Sequence, residues 1–166
     1  MSPLPRWAVG LAMLLLGGLP AAASALDLDP ARACGLLAGE GLGAGPYLSR
    51  DGAPYACRSR RRTLPLGGRR PPEVRFLAHG DARAVHELRL TLDLYGRRDL
   101  QPALNRFARL AQGLLSRVDG GPADARLGAA IQGLVPGQWR RGALRYELRK
   151  ILATGRPGMR LVLRLY

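Results

Sequence analysis

The chain has 166 residues, 26 Lys and Arg against 12 Asp and Glu, a formal charge of +14, two Cys, two His and 5% aromatic residues. That length suits one domain, and an apolar content of 47% excludes a wholly disordered chain. Two cysteines exclude a multi-disulfide scaffold and leave too few ligands for a zinc cluster, and a polytopic membrane protein is excluded by the lack of repeated long apolar runs.

Residues 1–25 read as a secretory signal peptide. Arg6 is its only charge, Trp7 to Leu19 is apolar, Pro20 breaks the run, and Ala23-Ser24-Ala25 has the small-x-small pattern of a cleavage site. The run from Trp7 to Leu26 approaches the roughly 20 residues of a bilayer span. Its glycines, Pro20 and alanine tail make it a poor anchor. Cys34 does not fit a lipoprotein signal, because Arg32 stands where a small or apolar residue is needed. Cleavage after Ala25 leaves residues 26–166 as a single domain, periplasmic or secreted, with no transmembrane segment. In that oxidising compartment Cys34 and Cys57 have one possible pairing and are expected to form a structural disulfide. They lack the C-x-x-C spacing of a redox pair.

Asp29-Pro30 opens the first helix, with Asp as N-cap and Pro at the first helical position, and the helix runs to about Ala38. Gly39, Gly41 and Gly43 end it, and a glycine- and proline-rich connection follows. Tyr55 to Leu66 reads as one strand, held to an edge or end by Pro65. After the loop at Gly67–Pro72, a second strand covers Glu73–His79. The third, Val85–Leu94, alternates strictly: His86, Leu88, Leu90, Leu92 and Leu94 share one face, and Val85, Glu87, Arg89, Thr91 and Asp93 the other. A long amphipathic helix is predicted over Asp99–Val118, with Leu100, Leu104, Phe107, Ala111, Leu114 and Val118 inward. A further helix is predicted from Pro122 to Leu134. Leu144–Arg149 and Met159–Leu165 alternate as two closing strands, joined by a turn at Thr154–Gly158. The fold class is therefore α+β: a two-layer sandwich in the order α-β-β-β-α-α-β-β. Its antiparallel sheet of about five strands has helices on one face and a wet, basic face opposite. The last strand is expected at an edge, where an apolar patch favours dimerisation.

Catalytic patterns are scarce. There is no G-x-S-x-G, H-E-x-x-H or P-loop motif. His86 reads as a core or sheet-end histidine and His79 as a solvated turn residue. Glu87 and Asp93 share a strand face on which Arg89 is the expected partner. No cofactor and no metal site is indicated. An unrecognised hydrolase remains a third reading, requiring His79 or His86 to meet a carboxylate and a hydroxyl in one pocket.

The strongest chemical signal is arginine. Arg58, Arg60, Arg61, Arg62, Arg69 and Arg70 form one cluster, and Arg145, Arg149, Arg160 and Arg164 belong to a second near the C-terminus. If the closing strands join the others in one sheet, these groups merge on its open face, which then attracts anions over long range and by bidentate contacts. The plain alternative is compositional: Lys150 is the only lysine in a chain rich in Ala, Gly, Pro, Leu and Arg, a bias that tolerant surface positions acquire without an anion to bind.

Tyr55-Ala56-Cys57-Arg58-Ser59, the strand ending Ala78-His79-Gly80, the Leu88–Leu94 strand and the helix pair resemble a family of small exported proteobacterial proteins of unknown function. The element order also resembles the small α/β secretion-chaperone fold, which implies a sheet and helices that hold protein partners, often as dimers. Two functions are expected. The first is an exported non-catalytic domain that binds a protein partner, self-associates, or serves as an assembly subunit in the cell envelope. The alternative is a binder of anionic envelope polymers or lipids through the arginine-rich sheet face. Nucleic acid is not expected, since the chain is exported and aromatic stacking residues are few.

Overall fold

A computed structural model describes residues 26–152 and 158–166. The signal-peptide reading of 1–25 and most of the turn expected at Thr154–Gly158 lie outside the described residues.

Asp29 caps α1 (Pro30–Gly35) by accepting a hydrogen bond from the Arg32 backbone N–H at 2.9 Å, and Pro30 occupies the first turn. The helix is shorter than expected: beyond Leu36 the chain tightens into a 3-10 turn at Ala38–Glu40, which ends at Gly41 in the left-handed region, φ 71°. The single strand expected over Tyr55–Leu66 is two, β1 (Tyr55–Arg58) and β2 (Arg62–Thr63). Ser59 causes the break. Its hydroxyl accepts the Phe76 N–H at 2.9 Å while its own N–H donates to the Phe76 carbonyl, so a side chain replaces one rung of the ladder. β3 (Glu73–Gly80) and β4 (Val85–Leu94) follow, β4 with the predicted bounds.

α2 (Leu100–Asp119) buries Leu104, Phe107, Ala111 and Leu114 as its periodicity predicts, but Asp99 makes no side-chain cap bond. α3 (Ala125–Gly133) starts later than expected. Its cap is Asp124, whose carboxylate accepts from the backbone N–H of Arg126 and Leu127, and Pro122 lies in the preceding loop. A strand not foreseen, β5 (Gly137–Arg141), then pairs with β6 (Leu144–Leu152) across a two-residue turn in which Gly142 takes φ 60°. β7 (Met159–Leu165) ends the described chain.

Among the described residues the strands form one seven-stranded antiparallel sheet in the order β1-β3-β4-β7-β6-β5, with β2 on the β1 side of β3. The α+β class stands, but the sheet is larger than the five strands expected. β7 is central rather than an edge, because Leu161, Leu163 and Leu165 need burial as complete as that of Leu88, Leu90 and Leu92 beside them. The inward residues of the sheet and those of the three helices form one core that includes Phe76, Phe107, Ile131 and Tyr146.

Cys34 and Cys57 form the disulfide, with Cα atoms 6.0 Å apart, and it ties α1 to the edge strand β1. No helix of the described residues is long and apolar enough to cross a membrane.

Candidate functional site

Strand parity places one set of side chains on the helices and the other on the uncovered face. Because every pairing is antiparallel, and regular apart from the shift between His79 and Gly80, the uncovered residues line up in rows across the sheet. One row runs Arg58, Leu77, Arg89, Arg164, Glu147, Gln138 from β1 to β5. The next runs Arg75, Thr91, Val162, Arg149. A third holds Glu73, Asp93, Arg160 and Ile151. These rows enclose a depression of about 260 Å³. Leu77, Thr91, Val162 and Ile151 form its apolar part, ringed by Arg58, Arg75, Arg89, Arg149, Arg160 and Arg164.

The face is basic as expected, but its centre is not wet. Glu87, Thr91 and Asp93 are each under a tenth exposed, because arginine side chains lie over them. Glu87 accepts from Arg89 at 2.7 and 3.0 Å and from Arg164 at 2.5 and 2.9 Å. Burial works against its ionisation, yet these two guanidiniums prevail and hold its carboxyl down at about 2. Asp93 is held by Arg160 at 2.5 Å, not by Arg89. Glu147 takes Arg149 at 2.8 Å and Gln138 at 3.1 Å. His79 is no solvated turn residue: it ends this face within 3.1 Å of Glu87. His86 sits at the bulged start of β4, bonded to Asp81 at 2.8 Å, the sheet-end position of its two expected alternatives.

Charge is unevenly compensated. The ring's six guanidiniums face three carboxylates, Glu87, Asp93 and Glu147, all of which hold Arg89, Arg149, Arg160 or Arg164. Arg61 at the border pairs with Glu73 at 3.4 Å, and Glu73 also accepts from the Tyr95 hydroxyl. Among the described residues no carboxylate pairs with Arg58 or Arg75. Burial, then the nearby Arg58 and Arg61, lower the Arg75 pKa from its usual value, an effect Asp93 only partly offsets. The β1–β3 side of the depression therefore carries net positive charge at close range.

Of the arginines singled out by sequence, the fold brings Arg58, Arg149, Arg160 and Arg164 into this ring, with Arg61 beside it. Arg145 is on the same face but at its far end, with Gln138, Arg140 and Tyr166. Arg62 points to the helix side, where it borders an apolar groove with Leu64, Pro65 and Pro102. Arg60 is exposed in the β1–β2 link, and Arg69 and Arg70 are exposed in the loop before β3. Sequence reasoning missed Arg75, although its alternation with buried Val74 and Phe76 marks it as outward-facing. Arg89 was seen only as a carboxylate partner. Among the described residues no group of three or more His, Cys, Asp or Glu is placed to hold a metal. Comparison with known proteins finds no matching family model, no similar curated protein and no similar solved structure.

Proposed function

We propose that this chain is an exported, non-catalytic binding domain of the cell envelope, periplasmic or secreted, that takes an anionic polymer or lipid on the arginine-rich open face of its sheet. One observation carries this reading: a single concave face gathers six arginines from five strands, and two of them have no carboxylate partner. Surface arginines scattered by compositional bias have no reason to converge on one depression. Once converged without carboxylates they repel one another, a cost that an anionic ligand removes. The fixed fork of a guanidinium suits phosphate and carboxylate oxygens better than a lysine would.

A protein partner or an assembly role is the second reading, favoured by a different feature. β6 runs past the end of β5, so among the described residues Arg149–Leu152 has an unpaired edge, and Ile151 and Leu152 are exposed there. That stretch suits strand addition by another chain.

Salt separates the two. Binding of the mature protein to vesicles of phosphatidylglycerol, or to a soluble acidic polysaccharide, is measured at about 50 and 500 mM salt, a range over which the screening length falls from roughly 14 to roughly 4 Å. The anion reading expects affinity to drop at least about tenfold. Absence of binding at low salt, together with an envelope protein retained in near-stoichiometric yield at high salt, would favour the second.

A further inference from the structure

Arg58 and Arg75 approach the depression from adjacent strands. Arg58 pairs across to Leu77, and Arg75 lies two residues before Leu77 on the same face of β3, so the two arginines are diagonal neighbours. Diagonal Cβ atoms on a sheet are roughly 7–8 Å apart, within reach of long side chains that close on one group between them. Arg75 is half-buried and stands in a row with Thr91 and Val162, while Arg58 is exposed at the rim. Arg160 and Arg149 close the opposite side. The volume, about 260 Å³, is near the lower end of small-molecule sites, roughly 300–1,000 Å³. It admits one head group of a larger ligand and does not engulf the whole.

We infer that this depression is a phosphate subsite: Arg58 and Arg75 together bind one phosphate mono- or diester, whose carbon substituent rests on Leu77, Val162 and Ile151. The inference rests on the anion-binding reading above and deepens it by naming the group. A carboxylate keeps its acceptor directions in one plane, so a single fork already takes both oxygens, and Glu87 accommodates a second only from the neighbouring strand β7. A tetrahedral phosphate offers oxygens in several directions, so it engages two forks converging from different strands and neutralises more of the local charge. Thr91 adds a hydroxyl to the floor between Arg75 and Val162. The apolar patch beside the cations calls for a substituent with carbon to bury, which inorganic phosphate lacks and a glycerol or sugar phosphate supplies. A lipid head group and a soluble phosphate ester share this chemistry.

The test uses the mature, disulfide-bonded protein and two charge-matched double variants, R58Q/R75Q and R69Q/R70Q. Probes are inorganic phosphate, glycerol 3-phosphate, acetate, and phosphatidylcholine vesicles with and without phosphatidylglycerol. Affinity and the arginine side-chain N–H signals are followed by NMR, and thermal unfolding confirms that each variant is folded. The expected result is glycerol 3-phosphate or vesicle binding that weakens at least about tenfold in R58Q/R75Q and less than about twofold in R69Q/R70Q, with acetate weaker than either phosphate. Binding to the free ester as tight as to vesicles identifies a soluble ester, and binding to vesicles alone identifies a lipid head group; both support the subsite. Equal losses in the two variants, or acetate bound as well as phosphate, would overturn the subsite while leaving general anion binding in place. No binding of any anionic probe by the unaltered protein would overturn both.

Discussion

Arg75 illustrates a residue kept at some expense to the fold. It sits among Arg58, Arg61 and Arg160 with only Asp93 to offset them, so its charge is repelled in the free protein. Arg75→Gln is therefore expected to leave stability unchanged or raise it by up to about 1 kcal/mol, measured by urea denaturation, while weakening anion binding. A loss of more than about 1 kcal/mol would show that the residue serves packing instead. Glu87 is the opposite case. Its carboxyl lies at about 2 in the folded chain against 4.5 ordinarily, worth about 3 kcal/mol at neutral pH. A depressed carboxylate stabilises above its unfolded pKa, so this contribution is complete above about pH 5 and lost as pH falls from there towards 2. Glu87→Gln should flatten the stability profile over that window, as followed by denaturation at a series of pH values. The Glu87–Arg89 pair was legible in the sequence, two residues apart on one strand face. Arg164, the other half of the clamp, lies 77 residues away, and no local pattern connects them.

At the scale of elements, the connection from β3 to β4 is set by a close approach. A side chain at Gly80 would overlap the Ala84 carbonyl, where the ladder shifts register between His79 and Gly80. Gly80→Ala should destabilise by about 1–3 kcal/mol, read from the denaturation midpoint, since backbone rather than a flexible side chain must move. The same corner holds His86 against Asp81. The Asp81 hydrogen bond raises the His86 pKa above 6.5, and His86 in turn leads the groups that draw Asp81 down to about 2. For a raised histidine the stabilisation is present below about pH 6.5 and disappears as pH rises through the folded pKa. NMR titration should find the His86 pKa lower in Asp81→Asn; an unchanged value would mean that the pair does not form in solution. Strand β4 was legible because ten residues alternate without interruption. β5 was not: five residues with two exposed positions carry little pattern, and the two-residue turn at Gly142-Ala143 is the only local signal that marks its hairpin. The division of β1 from β2 depends on Ser59 bonding to Phe76, 17 residues on, which periodicity cannot express.

For the whole molecule, the disulfide and the sheet order matter most. The Cys34–Cys57 link closes a loop with a sequence separation of 23, for which chain entropy predicts about 3.5 kcal/mol of stabilisation. It anchors an edge strand of only four residues, the one that carries Arg58. Replacing both cysteines by serine should lower the thermal midpoint by about 10 °C and weaken anion binding along with it. A large stability loss with unaltered binding would detach β1 from the proposed site.

Pairing of the only two cysteines, the face that most residues of the regular strands occupy and the amphipathic stripe of α2 all follow from local rules, with Val85 at the bulged start of β4 an exception: it is buried in the core. Side chains alternate along a strand and recur every 3.6 residues along a helix whatever lies next to them. Those rules reach a few residues along the chain and stop there. Which strands become neighbours is settled by the burial of whole apolar faces. The leucines of β4 and β7 are covered completely only when these strands lie side by side in the middle of the sheet, although more than 60 residues separate them. That placement carries Arg160 and Arg164 to Asp93 and Glu87, brings Arg58 of the first arginine cluster onto one face with Arg149, Arg160 and Arg164 of the second, and leaves Arg58 and Arg75 together, among the described residues, without a carboxylate partner. The number of arginines is a property of composition; their convergence is a consequence of packing leucines on the other side of the sheet.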